Sequence, residues 1–348
     1  MSRLHAAALL AIATVSCHAL HAAIIPKKID LARQSDRVVV TLDGQPFTEY
    51  VFQGHAKPIL FPILGPGGVG MTRSWPMVEG VAGEPHDHPH HESLWFMHGN
   101  VNGVDFWMHK PDAAHDGATP RVEQTEIVRS EGGPTGILET RNRWLAADGT
   151  VVCTDTRRIT FAGDEHARTI DYAITIHADH GELLFGDTKE GTMAIRVHPA
   201  LQSRDKNGSQ GAAGTIVNSE GQRNDDAWGQ PARWVDYSGP IPDADGTPRH
   251  LGIAVFDHPH NLRHPTRWHA RDYGLFAANP FGVRDFTAKG GQASGAVVAG
   301  GPPRAGDYRL AAGDSLTLRY LFIFHEGGAA DARLEERFRD RHAGDDTK

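Results

Sequence analysis

From Arg37 to Glu326 one pattern recurs: short runs in which apolar and polar side chains alternate, bounded by Gly, Pro or Asp-Gly. Period two places successive side chains on opposite faces of a sheet, so these runs spell half-buried strands. The clearest are RVVVTL (37–42), FTEYVF (47–52), PILFPIL (58–64), ILETRNRWL (137–145), TVVCTDTRRITF (150–161), ARTIDYAITIHA (167–178) and SLTLRYLFIFHE (315–326). Asp148-Gly149 stands where a hairpin turn belongs, and the runs from 137 to 178 read as a meander. Shorter strands are expected at 192–197, 232–236, 250–256 and 273–277. Only 331–341 has helical spacing, with Leu334 and Phe338 four apart. About fifteen strands and one terminal helix predict an all-β fold, a large two-sheet β-sandwich.

The chain has 348 residues, enough for such a sandwich as a single domain, and no linker divides residues 23–348. A net charge of -8 argues against a nucleic-acid partner, which would require a basic face. The glycine-rich GPGGVG (65–70) lacks the Lys-Ser/Thr ending of a phosphate loop. There is no Gly-x-Ser-x-Gly nucleophile elbow.

Residues 1–22 read as a signal peptide, with Arg3, an apolar Ala6 to Val15 and small residues at Ala19 to Ala23. The expected location is periplasmic or secreted, with no transmembrane segment. Thr14-Val15-Ser16-Cys17 is a degraded lipobox, so a lipid anchor on Cys17 is the lesser alternative. Cys153 then stands alone within a strand-like run and is expected to be a buried, inert thiol.

Half of the 22 histidines lie in 86–115 and 258–269, whereas the chain has eight lysines. Histidine titrates near neutrality and is the commonest metal ligand. In EPHDHPHHESLWFMHGNVNGVDFW (84–107), His86, His88 and His90 would stand on one side of an extended segment, about 6.6 Å apart. The spacing through His86, His88 and Glu92 matches the first metal motif of cupins. Pro85 and Pro89 interrupt it, however, and no second cupin motif follows. Three uses stay open: a loop that picks up metal adventitiously, ligation through His88, His90 and His91 (with His86 and Glu92 if cupin-like), or metal-free contact with substrate. The cofactor is not fixed; a divalent metal ion fits the second use. Trp95, Phe96, Phe106 and Trp107 are core candidates, with a tryptophan edge lining a sugar pocket as the alternative. Asp105 either faces solvent or has a definite partner.

The second cluster, DHPHNLRHPTRWHARDYGLFAANPFG (257–282), is dense in donors. If WHARDY is a strand, His269, Arg271 and Tyr273 share one face and form a pocket wall; a solvated strand face is the plainer reading. Lys189 and Glu190, between Gly186 and Gly191, fit a base and its electrostatic partner or a surface ion pair. WGQPARWVDYSG (228–239) adds Trp228, Trp234, Asp236 and Tyr237.

Taken together, HPHHESLWFMHGNVNGVDFW, FGDTKEGTMAIRV, WGQPARWVDYSG and PTRWHARDYGLFAANPFG resemble the bacterial family labelled "PmoA family" or "methane oxygenase PmoA", over nearly all of the chain after the leader. The resemblance implies exported proteins of saccharolytic bacteria. It also implies features similar to galactose-mutarotase-like β-supersandwiches, carried here by His98-Gly99 and Asn261-Leu262-Arg263-His264-Pro265. The family often has a basic residue where this chain has Glu92. Gas oxidation is not carried over, because the membrane subunit the label echoes spans a bilayer and this chain has no apolar run of that length.

The leading expectation is a carbohydrate-active enzyme of epimerase or lyase type acting on a sugar or oxidised sugar. His98, Lys189, Glu190 and His269 are the catalytic candidates, and Trp107, Asn261, Arg263, Arg271 and Tyr273 the substrate-binding ones. The alternatives are a mononuclear-metal, cupin-like oxygenase or isomerase, and a non-catalytic glycan-binding protein.

Overall fold

The computed structural model describes residues 27–108, 119–204, 213–288 and 304–344; the leader lies outside them. The described chain forms, in order, β1 (Ile29–Arg33), β2 (Arg37–Leu42), β3 (Gln45–Val51), β4 (Ile59–Ile63), β5 (Leu94–His98) and β6 (Arg121–Glu131). Then come β7 (Gly136–Leu145), β8 (Val151–Gly163), β9 (Ala167–His177), β10 (Leu183–Phe185), β11 (Gly191–Arg196), β12 (Thr215–Asn218), β13 (Trp234–Pro242) and β14 (Pro248–Asp257). β15 (Arg267–Ala270), β16 (Leu275–Asn279), α1 (Val283–Thr287), β17 (Tyr308–Leu310), β18 (Ser315–Glu326) and α2 (Leu334–His342) complete it.

Two eight-stranded antiparallel sheets result, ordered β1-β2-β3-β4-β5-β11-β16-β15 and β12-β13-β14-β18-β9-β8-β7-β6, with a two-stranded β10-β17 ribbon. The expected all-β sandwich is present, and β7-β8-β9 form the expected meander. Alternation does what the sequence indicates: Ile170, Tyr172, Ile174 and Ile176 of β9 are all buried on the inner face. Edge-to-face contacts cross the interior, Phe47 to Phe161 at 6.1 Å and Phe96 to Trp144 at 6.2 Å. A buried Arg157–Asp155 pair lies in this core, with Asp155 also accepting from Trp144 Nε1 and Asn142 Nδ2. α2 covers the outer face of the second sheet, where Leu334 and Phe338 pack with Trp234, Phe256 and Ile323.

Three differences from the sequence reading have physical causes. β6 was not anticipated because it is an edge strand with polar or half-exposed side chains on both faces, so its alternation is weak. α1 is a single turn, too short to show helical periodicity. WHARDY is not one strand: β15 stops at Ala270, and a turn follows in which Gly274 takes φ +90° and donates its N–H to the Arg271 carbonyl. Cys153 is buried in β8, and that burial pushes its thiol pKa well up, in keeping with an inert side chain.

Candidate active site

The register of the first sheet aligns Trp95 of β5, Ala194 of β11, Ala277 of β16 and His269 of β15 in one row across its outer face. Three strand spacings of about 4.8 Å separate the backbones of Trp95 and His269 by about 14 Å. Two large side chains with two methyl groups between them form a trough in this face, and all four residues are buried beneath the segments that pack over them. The next row carries Arg196 opposite Leu275, whose carbonyl accepts from Arg271 N–H.

One wall is the histidine loop, wrapped around Arg73. This fully buried guanidinium donates to the carbonyls of Pro85, Asp87, His88 and His91 and to the Asp87 carboxylate at 2.7 Å. It thereby satisfies carbonyls of a segment that Pro85 and Pro89 keep out of any sheet. His88, at φ +47°, stacks on His91 at 4.8 Å and on Tyr273 at 5.1 Å. His91 continues onto Trp95 at 5.5 Å, and Trp95 onto Trp107 at 5.3 Å. Beneath the stack, Arg196 lies under Tyr273 and donates to His91 Nδ1 at 3.1 Å and to Asp87 at 2.9 Å.

The opposite wall is the loop before β11. Lys189 and Glu190 form an ion pair there, both partly exposed, and the Lys189 carbonyl accepts from His269 Nδ1 at 3.1 Å. Trp228 closes the end beside His269, with ring centres 6.3 Å apart. Asp105 is at the rim, its carboxylate accepting from the N–H groups of Trp107 and Met108; burial raises its pKa against those two bonds.

Two histidines have fixed and opposite tautomers. Because a carbonyl can only accept, His269 carries its proton on Nδ1 and leaves a lone pair on Nε2. Because a guanidinium can only donate, His91 accepts at Nδ1 and carries its proton on Nε2. Burial holds both well below the usual imidazole pKa, and nearby positive charge adds to it: Arg271 and Lys189 for His269, Arg196 and Arg73 among others for His91. Around the trough, several polar atoms shielded from water lack a partner among the described residues: His269 Nε2, Trp107 Nε1, Trp228 Nε1 and Arg196 Nε. Buried polar groups are normally paired, so each of these atoms is an exception to that rule.

The structure thus brings together His88, His90, His91, Trp107, Lys189, Glu190, His269, Arg271 and Tyr273. Three other candidates are corrected. His98 points into the core: fully buried between Phe185 and Phe281 and against Gly191, it donates through Nε2 to the Gly186 carbonyl, and burial takes its pKa down to about 4; its Nδ1 lacks a partner as His269 Nε2 does, and what separates the two is the face of the sheet, since His98 lies on the inner one. Asn261 is a lock, bonded to Asp257 and to both backbone groups of Arg319. Arg263 spends its guanidinium on the carbonyls of Pro280, Ala305, Gly306 and Asp307. Only the 269–273 part of the second cluster therefore faces the first; His264 instead bonds Asp257 and stacks near Phe338 of α2.

The metal candidates do not converge. His88 and His91 lie face to face, His86 stacks on Trp75 at 4.9 Å, and Glu92 accepts from His55 at 2.7 Å and Lys57 at 2.5 Å. Among the described residues no three His, Cys, Asp or Glu side chains are grouped to hold a metal ion. Arg73, Asp87 and Arg196 were missed by the sequence reading. A signal existed for Arg196: a charge inside the otherwise buried TMAIRV strand needs a definite partner.

Residues 37–339, from β2 into α2, match the model of DUF6807, described as a family of unknown function. The chain belongs to the DUF6807 family. No curated protein matches it. The description of DUF6807 names no activity. Among the described residues of this DUF6807 member, no helix is long and apolar enough to cross a membrane.

Proposed function

We propose that this protein is an exported carbohydrate-active enzyme that moves a proton at a carbon next to a carbonyl or anomeric centre, in an epimerase or lyase type of reaction. The observation that carries the proposal is His269: a neutral imidazole with its proton committed to a carbonyl and a buried Nε2 lone pair that has no partner among the described residues, an atom that substrate entry would have to uncover. A base must be unprotonated at working pH and have its accepting atom free, and burial with neighbouring cations secures the first condition. In the proposed step the substrate C–H bond breaks, its electron pair stays on the substrate as an enolate, and the proton goes to His269 Nε2. His91, held as the Nε2–H tautomer by Arg196, is the hydrogen-bond donor of the pair. Lys189 positions His269 through its carbonyl, and its ammonium, paired with Glu190, lies on the same loop.

The sugar assignment is supported by aromatic faces beside dense polar groups, the composition suited to a ring with apolar and hydroxylated sides. It agrees with the leader and with the resemblance to the PmoA family. The test is exchange of carbon-bound hydrogen for deuterium, followed by NMR across a panel of aldoses, ketoses and uronates. Wild type is expected to exchange one position of one panel member, and His269→Gln to slow that exchange by about 100-fold or more. Exchange at the wild-type rate in His269→Gln would overturn the assignment.

A further inference from the structure

The unpartnered groups of the trough differ in kind, and the difference bears on the ligand. Trp107 Nε1–H, Trp228 Nε1–H and Arg196 Nε–H are donors, and His269 Nε2 is an acceptor. The cations differ too. Arg73 and Arg196 share the Asp87 carboxylate, and Lys189 is paired with Glu190. Arg271 has no carboxylate partner among the described residues. Its guanidinium lies over the Tyr273 ring at 5.2 Å and is half-buried, two residues along from His269. Its backbone is fixed at both ends of the turn: its N–H donates to Leu275 and its carbonyl accepts from Gly274 N–H and from the buried Tyr237 hydroxyl at 3.1 Å.

We propose that the ligand of this trough is a carboxylate-bearing sugar, a uronate or aldonate, and that Arg271 binds its carboxylate. The inference rests on the acid/base reading for the sugar and on Arg271 for the charge. A planar, preorganised guanidinium matches a carboxylate with two parallel bonds, whereas alcohol groups gain little from it.

The experiment is calorimetric titration of the full chain with D-glucuronate and D-galacturonate against D-glucose and D-galactose. At least one acid is expected to bind about tenfold or more tightly than its neutral parent. Arg271→Gln should erase that difference, and Arg271→Lys, which keeps charge but not the fork, should retain part of it. Equal binding of acid and neutral sugar, no binding of either acid, or an unchanged preference in Arg271→Gln would each overturn the proposal. His269→Gln separates the two readings, since it should slow exchange by about 100-fold or more and keep the acid preference. An acid preference with exchange intact in His269→Gln defeats the acid/base reading alone.

Discussion

Asp87→Asn keeps the shape of the side chain while removing the counter-charge that two buried arginines share. Its carboxylate accepts from Arg73 at 2.7 Å and Arg196 at 2.9 Å; both guanidiniums are fully buried, whereas the Asp87 side chain is 30% exposed. Breaking a buried pair costs about 3–5 kcal/mol. Here the carbonyls of Pro85, Asp87, His88 and His91 still receive Arg73, and water reaches Asp87, so the cost falls at or just below the bottom of that range, about 2–3 kcal/mol. For a domain larger than 250 residues each kcal/mol moves Tm by about 2 °C, giving a drop of about 4–6 °C. The loss should be pH-dependent. Although burial works against it, the bond from His88 and the charges of Arg196 and Arg73 hold the Asp87 pKa below its ordinary value. A carboxyl depressed in the folded state contributes stability above its unfolded pKa, about 3.9, and loses it as pH falls toward the folded value. The gap between wild type and Asp87→Asn should therefore be full at pH 7 and narrow below about pH 4. Thermal unfolding by circular dichroism across that range measures it. A variant melting within about 1 °C of wild type at pH 7, or a gap that widens on acidification, would refute the reasoning.

Two further outcomes test the packing of the core. Gly191→Ala would put a Cβ 2.5 Å from Nδ1 of the buried His98, so the variant should lose about 1–3 kcal/mol in urea unfolding, and His98→Ala in the same chain should relieve part of that loss. In a Cys17→Ser background, Cys153 should resist a thiol reagent in the folded protein at pH 8 and react stoichiometrically in denaturant, because burial withholds both access and the thiolate.

Much of the fold was legible because a strand announces itself locally. The alternation in β2, β7, β8, β9 and β18 is a property of neighbouring residues, and one buried face suffices to produce it. The strands that escaped notice are the polar edge strand β6 and very short ones such as β10 and β17, which carry little alternation to read. Within the candidate site, composition singled out both histidine clusters, yet it could not distinguish Arg263 from Arg271. They lie in the same donor-rich stretch, and only the direction of each backbone sends one guanidinium to four carbonyls and the other over the Tyr273 ring. His98 misled for a related reason: a histidine at a strand end reads as accessible until the rings of Phe185 and Phe281 are seen to enclose it.

The sequence by itself determined an all-β chain, the places where histidine and arginine are concentrated, and the alternation that buries one face of each strand, since all of these are set by residues near each other along the chain. The site was decided by strand order. Pairing β5 with β11, β11 with β16 and β16 with β15 aligns residues 95, 194, 277 and 269, which no local pattern relates. The same packing fixed which nitrogen of His91 and of His269 carries the proton, because a tautomer is chosen by the partner across the fold, a guanidinium for one and a carbonyl for the other.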